Sequence, residues 1–417
     1  MWGVQEQFKT DMGRFMNVAS QLGFGAIEVN HSMTSVQIKE LRRNNSLPIT
    51  GVHGPAPLKN HPGEGENRGL NLAALDDRER LIAVEDHIES IKLAAEVGAQ
   101  HVVVHLGHVG TGLLSSERSL RLAYKNNNGS IPPGVKDMVL MAKKEREPQT
   151  VKHLESAQRS LATLTSEADK SGVTLGIETR LHYHEIPLPN EYEVLLGIYP
   201  KNVVGYLHDV GHAEVQHRLG LTDRDAWWSI GEEFSPGKRL VGLHIHDVEG
   251  LQDHVAPGTG SVDFDWLHNQ ISKHNPNASI TFEIDQRQSP RRVQEGLKMA
   301  KRKEKVKPAE VAESKSKLST SNRVALEKQE ELFELNEPSQ PPKLSLLDEQ
   351  SEELNVCEFN NNDASCFINQ NFEFQLALNY NSAIHSPYYF NRTYDFEKIR
   401  YRQYNIEGNE SFYPEET

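Results

Sequence analysis

The sequence has few cysteines, no long apolar run and little net charge over its first 300 or so residues. Only two cysteines occur in 417 residues, Cys357 and Cys366, and both lie near the C-terminus. A disulfide scaffold is therefore excluded, and a metal site earlier in the chain must use nitrogen and oxygen ligands. No apolar run approaches the roughly 20 residues of a membrane helix, and the N-terminus lacks a signal-peptide pattern. We expect a cytoplasmic protein that does not associate with membranes.

Charge is distributed unevenly along the chain. The formal net charge is −14, but 9 of the 45 Lys and Arg residues and 19 of the 59 Asp and Glu residues lie from residue 311 onward, which leaves 36 and 40 before it. A nearly neutral first part has no global field that attracts polyanions, which argues against binding DNA mainly through phosphates. Residues 304–417 are expected to form an acidic, flexible and largely irregular extension.

Short apolar runs alternate with amphipathic helical stretches over residues 20–300, which indicates βαβ units around a parallel sheet. Helices are predicted near 11–21, 34–43, 76–97, 151–170, 189–198, 264–273 and 290–302. Seven strands are predicted over Ala26–Val29, Pro48–His53, His101–His105, Thr174–Glu178, Val203–Asp209, Leu240–His246 and Ser279–Ile284. The only candidate for an eighth strand is Trp2–Gln5. We therefore expect an α/β fold, a (β/α)₈ TIM barrel over residues 1–303.

An insertion of about 40 residues, at about 107–150, separates the third of these strands from the next helix. It contains the turn-forming sequences "NNNG" and "PPG". Loops of this length are usually functional lids or disordered segments. Both alternatives, a substrate-covering lid and a mobile loop, are open at this point.

Acidic and imidazole side chains recur where the predicted strands end. They are His53, His105, Glu178, Asp209, His244 and Glu283. In a closed barrel these side chains would meet at one mouth, the end where such barrels carry their chemistry. Buried carboxylates and imidazoles would remain uncompensated there unless a cation lay between them. The pattern therefore predicts a metal site.

Further polar residues follow the same strands. Asp209 and His212 are three residues apart, and strand alternation places His244 and His246 on one face. His182 comes soon after Glu178 and is expected to overhang the metal. Arg180 could bind a substrate phosphate or carboxylate, or it could pair with Glu185.

Eight short motifs in fixed order resemble the xylose isomerase-like TIM barrel superfamily, which includes sugar isomerases, ketose epimerases and the endonuclease IV family. They are "LGFGAIEV", "GVHGP", "VVVHLG", "LGIETR", "HDVGH", "LHIHD", "PGTGSVDF" and "TFEID". The resemblance spans about residues 20–300. It implies that Glu178, Asp209, His244 and Glu283 bind a divalent metal, and that His212 contacts substrate or a further metal.

The resemblance favours a metal-dependent isomerase or epimerase that acts on a sugar, sugar phosphate or polyol through a metal-bound enediolate. Glu178 and Glu283 would be the acid/base pair, because carboxylates on opposite faces of a carbon can exchange its proton. One Mn²⁺, Zn²⁺, Co²⁺ or Mg²⁺ ion is expected. His212, Arg180, His182 and His246 are the predicted substrate contacts, and the protein could form a homo-oligomer.

The alternative is an endonuclease IV-like phosphodiesterase that acts on abasic DNA with up to three zinc ions. His53, His105, His212 and His254 fall on positions that match additional ligands of that family. Its Asp-x-His motif, however, reads Gln252-Asp253-His254 here, so one ligand is absent or displaced by one residue. Nucleic acid is an expected partner only under this alternative.

Overall fold

A computed structural model describes residues 2–44, 46–230 and 234–300 of the chain. The acidic extension expected over residues 304–417, and its boundary with the barrel, lie outside the described residues. Within them, short parallel strands alternate with helices as the sequence predicts.

Seven parallel strands form one sheet that curves into a nearly closed barrel. Its strands are β1 (Ile27–Val29), β2 (Ile49–His53), β5 (His101–Val104), β6 (Thr174–Glu178), β7 (Val204–Asp209), β8 (Leu240–Ile245) and β11 (Ser279–Phe282), which pair in this order. Two short antiparallel hairpins lie outside the barrel sheet. They are β3 (Asn60–His61) with β4 (Gly65–Glu66), and β9 (Asp247–Glu249) with β10 (Gln252–Val255).

The prediction of an eighth strand over Trp2–Gln5 is wrong, because Trp2–Val4 forms a single turn of 3₁₀ helix. The Trp2 side chain is buried, and its indole N–H donates to the Gln288 carbonyl oxygen at 2.9 Å. These contacts fix the segment as a turn beside the two edge strands, β1 and β11. A cavity of about 570 Å³ lies along this seam and reaches Glu28 and Glu283 from the side.

Nine α-helices surround the sheet in the described residues. They are α1 (Met12–Leu22), α2 (Ser35–Arg43), α3 (Asp77–Val97), α4 (Ser115–Asn126), α5 (Val135–Ser171), α6 (Tyr192–Leu196), α7 (Val210–Arg218), α8 (Phe264–His274) and α9 (Pro290–Ala300). The α3 helix shows how the sequence sets the ends: Asp76 accepts the Arg78 N–H, and Gly98 ends the helix at φ 73°. None of the described helices is long and apolar enough to cross a membrane.

The insertion at about 107–150 is largely helical, so the alternative of an irregular loop is wrong, while a substrate-covering role stays a prediction. It folds into α4 and the first half of α5, which we call the helical arm. The Glu145 carboxylate accepts the backbone N–H groups of Ser115 and Ser116 at the start of α4, each at 2.9 Å. Arg146 is buried and pairs with Glu191 at 2.5 Å. These contacts tie the arm to itself and to the segment after β6.

Candidate active site at the barrel mouth

The polar residues predicted at strand ends lie at the carboxyl end of the barrel. Glu178 and Asp209 end β6 and β7, His244 is the penultimate residue of β8, and Glu283 directly follows β11. All four side chains are buried. Because parallel strands end at the same edge of a sheet, the four groups converge on one point.

His244 is the centre of this quartet. Its Nδ1 lies 2.7 Å from Oε1 of Glu178 and 2.9 Å from Oε2 of Glu283. Oδ2 of Asp209 is 3.8 Å from the same nitrogen. Carboxylate oxygens and imidazole nitrogens in this arrangement form a donor set suited to a divalent cation.

His53 joins three of these residues from the end of β2. The ligand atoms of His53, Glu178, His244 and Glu283 all lie within 4.8 Å of one another, and we call these residues the Glu178 group. The Nδ1 of His53 lies 3.2 Å from the Gly54 carbonyl oxygen and 3.1 Å from Nδ1 of His31. Both contacts are made by Nδ1, so Nε2 of His53 remains as the ligand atom.

Glu28 on β1 orients His244, a role that the sequence analysis missed. The Nε2 of His244 lies 3.1 Å from Oε1 of Glu28, which can only accept a proton there. Gly51 makes room for this carboxylate, since a Cβ at Gly51 would stand 2.6 Å from Oε2 of Glu28. The one signal in the sequence is an acidic residue in the apolar run "AIEV".

A second set of side chains lies beside the first and shares the same mouth. Asp209, His212, His246 and His254 place their ligand atoms within 4.8 Å of one another, and we call them the Asp209 group. The Nε2 of His246 is 3.0 Å from Oδ1 of Asp209. The Nδ1 of His246 accepts the backbone N–H of His254 at 2.8 Å. The proton of His246 must therefore lie on Nε2, so that His246 donates to Asp209.

Asp253 completes the Asp209 group and was not among the predicted ligands. Its Oδ1 lies 3.1 Å from Nδ1 of His254, and its Oδ2 lies 3.6 Å from Nε2 of His212. Oδ2 is buried and has no hydrogen-bond partner in the described residues. His212 holds its own Nδ1 proton against the Thr179 carbonyl oxygen at 3.0 Å. The Nε2 of His212 and the Asp253 carboxylate thus remain available to a ligand.

Two of the other predicted site residues, His105 and Arg180, are in contact with each other. The Nη1 of Arg180 lies 2.6 Å from Nε2 of His105 and 2.5 Å from Oε2 of Glu178. The Nε and Nη2 of Arg180 donate to Oε1 of Glu185 at 3.1 and 2.9 Å. Of the two roles considered for Arg180, the structure therefore supports pairing with Glu185.

His182 lies against the helical arm instead of among the two groups. Its Nδ1 is 2.9 Å from Oε1 of Glu117 on α4, and Oε2 of Glu117 accepts the Tyr183 backbone N–H at 2.9 Å. These bonds hold the segment after β6 to the arm. The role of His182 in binding substrate stays a prediction.

Burial and the neighbouring charges set the ionisation of these groups. Burial opposes ionisation of Glu283, but His244 and His53 hold the pKa of Glu283 well below its usual range. Burial likewise opposes charge on His244, yet Glu28 and Glu283 raise its pKa well above the usual value. Burial and Arg180 lower the pKa of His105 to about 3. At neutral pH the carboxylates are charged, and His105 is neutral.

A family model, described as the xylose isomerase-like TIM barrel, matches residues 16–303 of the chain. This chain belongs to the xylose isomerase-like TIM barrel family. The match covers every barrel strand and every residue of the two groups. No curated protein matches the sequence.

Several solved structures of sugar epimerases and related proteins are similar to this member of the family. A D-tagatose 3-epimerase-like protein is 20% identical and covers 68% of this chain and 90% of its own, with a TM-score of 0.46. A 3-keto-D-glucoside 4-epimerase from E. coli is 16% identical and covers 71% and 96%, with a TM-score of 0.46. An IOLI protein with a bound zinc atom is 15% identical and covers 69% and 88%, with a TM-score of 0.45.

Proposed function

We propose that this member of the xylose isomerase-like TIM barrel family is a metal-dependent isomerase or epimerase of a polyhydroxylated carbonyl compound. The observation that carries the proposal is the position of two carboxylates on different strands. Glu178 on β6 and Glu283 after β11 approach the same His244 nitrogen at 2.7 and 2.9 Å, from opposite sides of the His244 strand. Two glutamates beside one cation site are what a reversible proton transfer at carbon requires.

The quartet of Glu178, Asp209, His244 and Glu283 fits a divalent cation on the chemistry of its donors. These four residues would hold it, because their charged oxygens and one imidazole nitrogen converge on one buried point. Such a cation would polarise the oxygens of a hydroxyketone and stabilise the charge that develops when a neighbouring carbon loses a proton.

The two glutamates are constrained to different degrees, which supports different roles. Glu178 is engaged through both oxygens, Oε1 with His244 and Oε2 with His105 and Arg180. The contacts of Glu283 with His244 and His254 run through Oε2 alone. We therefore assign the removal of the carbon-bound proton to Glu283, and the return of a proton from the other face to Glu178, which is held in one orientation.

The Lys and Arg side chains at the mouth are paired with carboxylates, which favours an uncharged substrate. The loops that follow the barrel strands contain four Lys and Arg side chains, and each pairs with a carboxylate: Lys59 with Asp86, Arg68 with Glu66, Arg180 with Glu185 and Arg287 with Asp285. A phosphate group would have to displace one of these carboxylates. A neutral ketose or keto-polyol is therefore the substrate class we favour.

The test is proton exchange in deuterated water. Protein loaded with Mn²⁺ or Co²⁺ is incubated with a panel of neutral ketoses, and deuterium incorporation beside the carbonyl and new epimers are followed by NMR. We expect Glu283→Gln to lower the exchange rate by about 10³-fold, within the range for loss of a general base. Glu249→Gln, on the exposed side of the β9 strand, is the matched control and should leave exchange unchanged. Absence of exchange with every ketose would refute the proposal.

A second candidate function is metal-dependent cleavage of abasic DNA, favoured by the Asp209 group. Oδ2 of Asp253, which has no hydrogen-bond partner in the described residues, and Nε2 of His212, 3.6 Å from it, could hold a further cation beside the first. Two neighbouring cations could stabilise the attacking and leaving oxygens of a phosphodiester. Cleavage of an abasic-site duplex at low salt, without deuterium exchange into any ketose, would establish this function instead.

A further inference from the structure

Arg180 places a permanent positive charge between two of the residues predicted as metal ligands. Oε2 of Glu178 and Nε2 of His105 lie 2.5 Å apart, and Nη1 of Arg180 is within 2.6 Å of both. An imidazole nitrogen and a carboxylate oxygen are both atoms that bind divalent cations, and here both face Arg180. The guanidinium group occupies that position.

The guanidinium and a metal ion are mutually exclusive at this point. Nη1 of Arg180 lies within 2.6 Å of both Nε2 of His105 and Oε2 of Glu178, so it fills the space that a metal bound by these two atoms would need. Two cations at this separation would also repel each other strongly in a buried site. His105 can therefore bind either Arg180 or a metal, but not both.

The surroundings of Arg180 hold it in place. Glu185 accepts two of its N–H bonds, while the other oxygen of Glu185 accepts the His182 backbone N–H at 2.7 Å. The next backbone N–H, of Ile186, donates to the Gly107 carbonyl oxygen at 2.8 Å. The planar guanidinium is thus locked between Glu185 on one side and the Glu178–His105 pair on the other.

We propose that Arg180 is a built-in cation that keeps a divalent metal out of the position between His105 and Glu178, and so limits how many metal ions the mouth holds. The inference rests on the proposed function insofar as it takes Glu178 to be a metal ligand. It assigns to Arg180 a role in setting the number of bound metal ions, which differs from the predicted role in binding substrate.

The test is metal content after removal of Arg180. The full chain is stripped with a chelator, loaded with Zn²⁺ and desalted, and bound zinc is measured by elemental analysis. We expect Arg180→Met to bind one more zinc per chain than the unchanged protein. Arg180→Lys, which keeps a positive charge, should bind no more zinc than the unchanged protein. The double variant Arg180→Met with His105→Ala should lose the additional zinc ion. Arg121→Met is the matched control, because Arg121 forms a similar pair with Glu117 on the helical arm.

The possible results separate this inference from the proposed function. An unchanged protein that binds no zinc would contradict the metal site itself. An unchanged protein that binds zinc, with no gain in a folded Arg180→Met variant, would overturn only the role of Arg180.

A measurement on the unchanged protein covers the case in which Arg180→Met fails to fold. Saturating Zn²⁺ should shift the imidazole ¹⁵N resonances of His244 and leave those of His105 in place. A zinc-induced shift of the His105 Nε2 resonance by direct ligation would also overturn the inference.

Discussion

The two groups at the mouth contain the same kinds of residue, but they differ in the partner of their central histidine. In the Glu178 group, Nε2 of His244 faces the Glu28 carboxylate at 3.1 Å. In the Asp209 group, Nδ1 of His246 faces the backbone N–H of His254 at 2.8 Å. A carboxylate can only accept and a backbone N–H can only donate, so the two histidines carry their protons on opposite sides.

This difference decides what each group can bind. Glu28 keeps a proton on the outer nitrogen of His244, so that the inner nitrogen can give its lone pair to a cation. The backbone of His254 instead forces the proton of His246 onto the inner nitrogen, where Asp209 accepts it. We infer that a histidine at this mouth can bind a metal only when the hydrogen bond of its outer nitrogen leaves the lone pair on the inner nitrogen.

Replacing each central histidine with glutamine tests whether only His244 binds a metal ion. At position 246 the glutamine amide can donate to Asp209 as Nε2 does, and we expect metal affinity to change by no more than about threefold. At position 244 no nitrogen lone pair remains, so the loss should exceed the roughly 100-fold effect of removing an outer partner. Competition with a chromogenic chelator gives both affinities. Equal losses in His244→Gln and His246→Gln would mean that both histidines are ligands.

Glu28 is the outer hydrogen-bond partner of His244, and its replacement should also weaken metal binding. Glu28→Gln removes the charge that holds the Nε2 proton of His244, and the expected loss of metal affinity is about 10-fold to 100-fold. The fold should persist, because glutamine has nearly the same shape. Chelator competition again measures the effect, and unchanged affinity would show that His244 needs no carboxylate to orient it.

A change at Gly51 tests the same contact from the other side. Gly51→Ala would place a methyl group 2.6 Å from Oε2 of Glu28, closer than two such atoms approach without displacement. A loss of metal affinity in the same direction as that of Glu28→Gln is expected. Gly25→Ala is the matched control, since a Cβ there meets no atom within 4 Å.

The sequence predicts the barrel well where strands are apolar and alternate with periodic helices. All seven strands that the analysis predicts with a clear apolar run are present, each within a residue or two of its expected bounds. The segment Trp2–Gln5 is too short for its period to be read, and its conformation depends on Gln288 at the other end of the domain. The helical arm was missed because "NNNG" and "PPG" indicate a loop, whereas they form only the turn between α4 and α5.

The candidate site is predictable as a gathering of side chains but not as a set of proton positions. Strand ends alone bring Glu178, Asp209, His244 and Glu283 to one mouth. The partner of His244 lies 216 residues away on β1, and the partner of His105 is set by the course of the segment after β6. Sequence spacing does not report such contacts, because they depend on how the ring of strands closes.

Asp253→Asn is expected to have a smaller effect, on the stability of the metal-free protein. Burial opposes charge on His254, but Asp253 and Glu283 raise the pKa of His254 to about 9. A folded-state pKa above the unfolded value of about 6.5 means that the protonated histidine stabilises the fold fully below pH 6.5, and that this contribution fades as the pH rises to about 9. Asp253→Asn should remove much of it.

We expect Asp253→Asn to lower the free energy of unfolding by about 1 kcal/mol at pH 6, roughly the net value of one hydrogen bond. The effect is modest because Oδ2 of Asp253 is buried without a hydrogen-bond partner in the described residues, so removing its charge also relieves a cost. Urea unfolding in the presence of chelator, at pH 6 and pH 9.5, measures the difference. Glu6→Gln, at the exposed pair with Lys9 and in no contact with His254 among the described residues, is the control. If Asp253→Asn still has a lower free energy of unfolding than the unchanged protein at pH 9.5, Asp253 acts through packing rather than through the His254 proton.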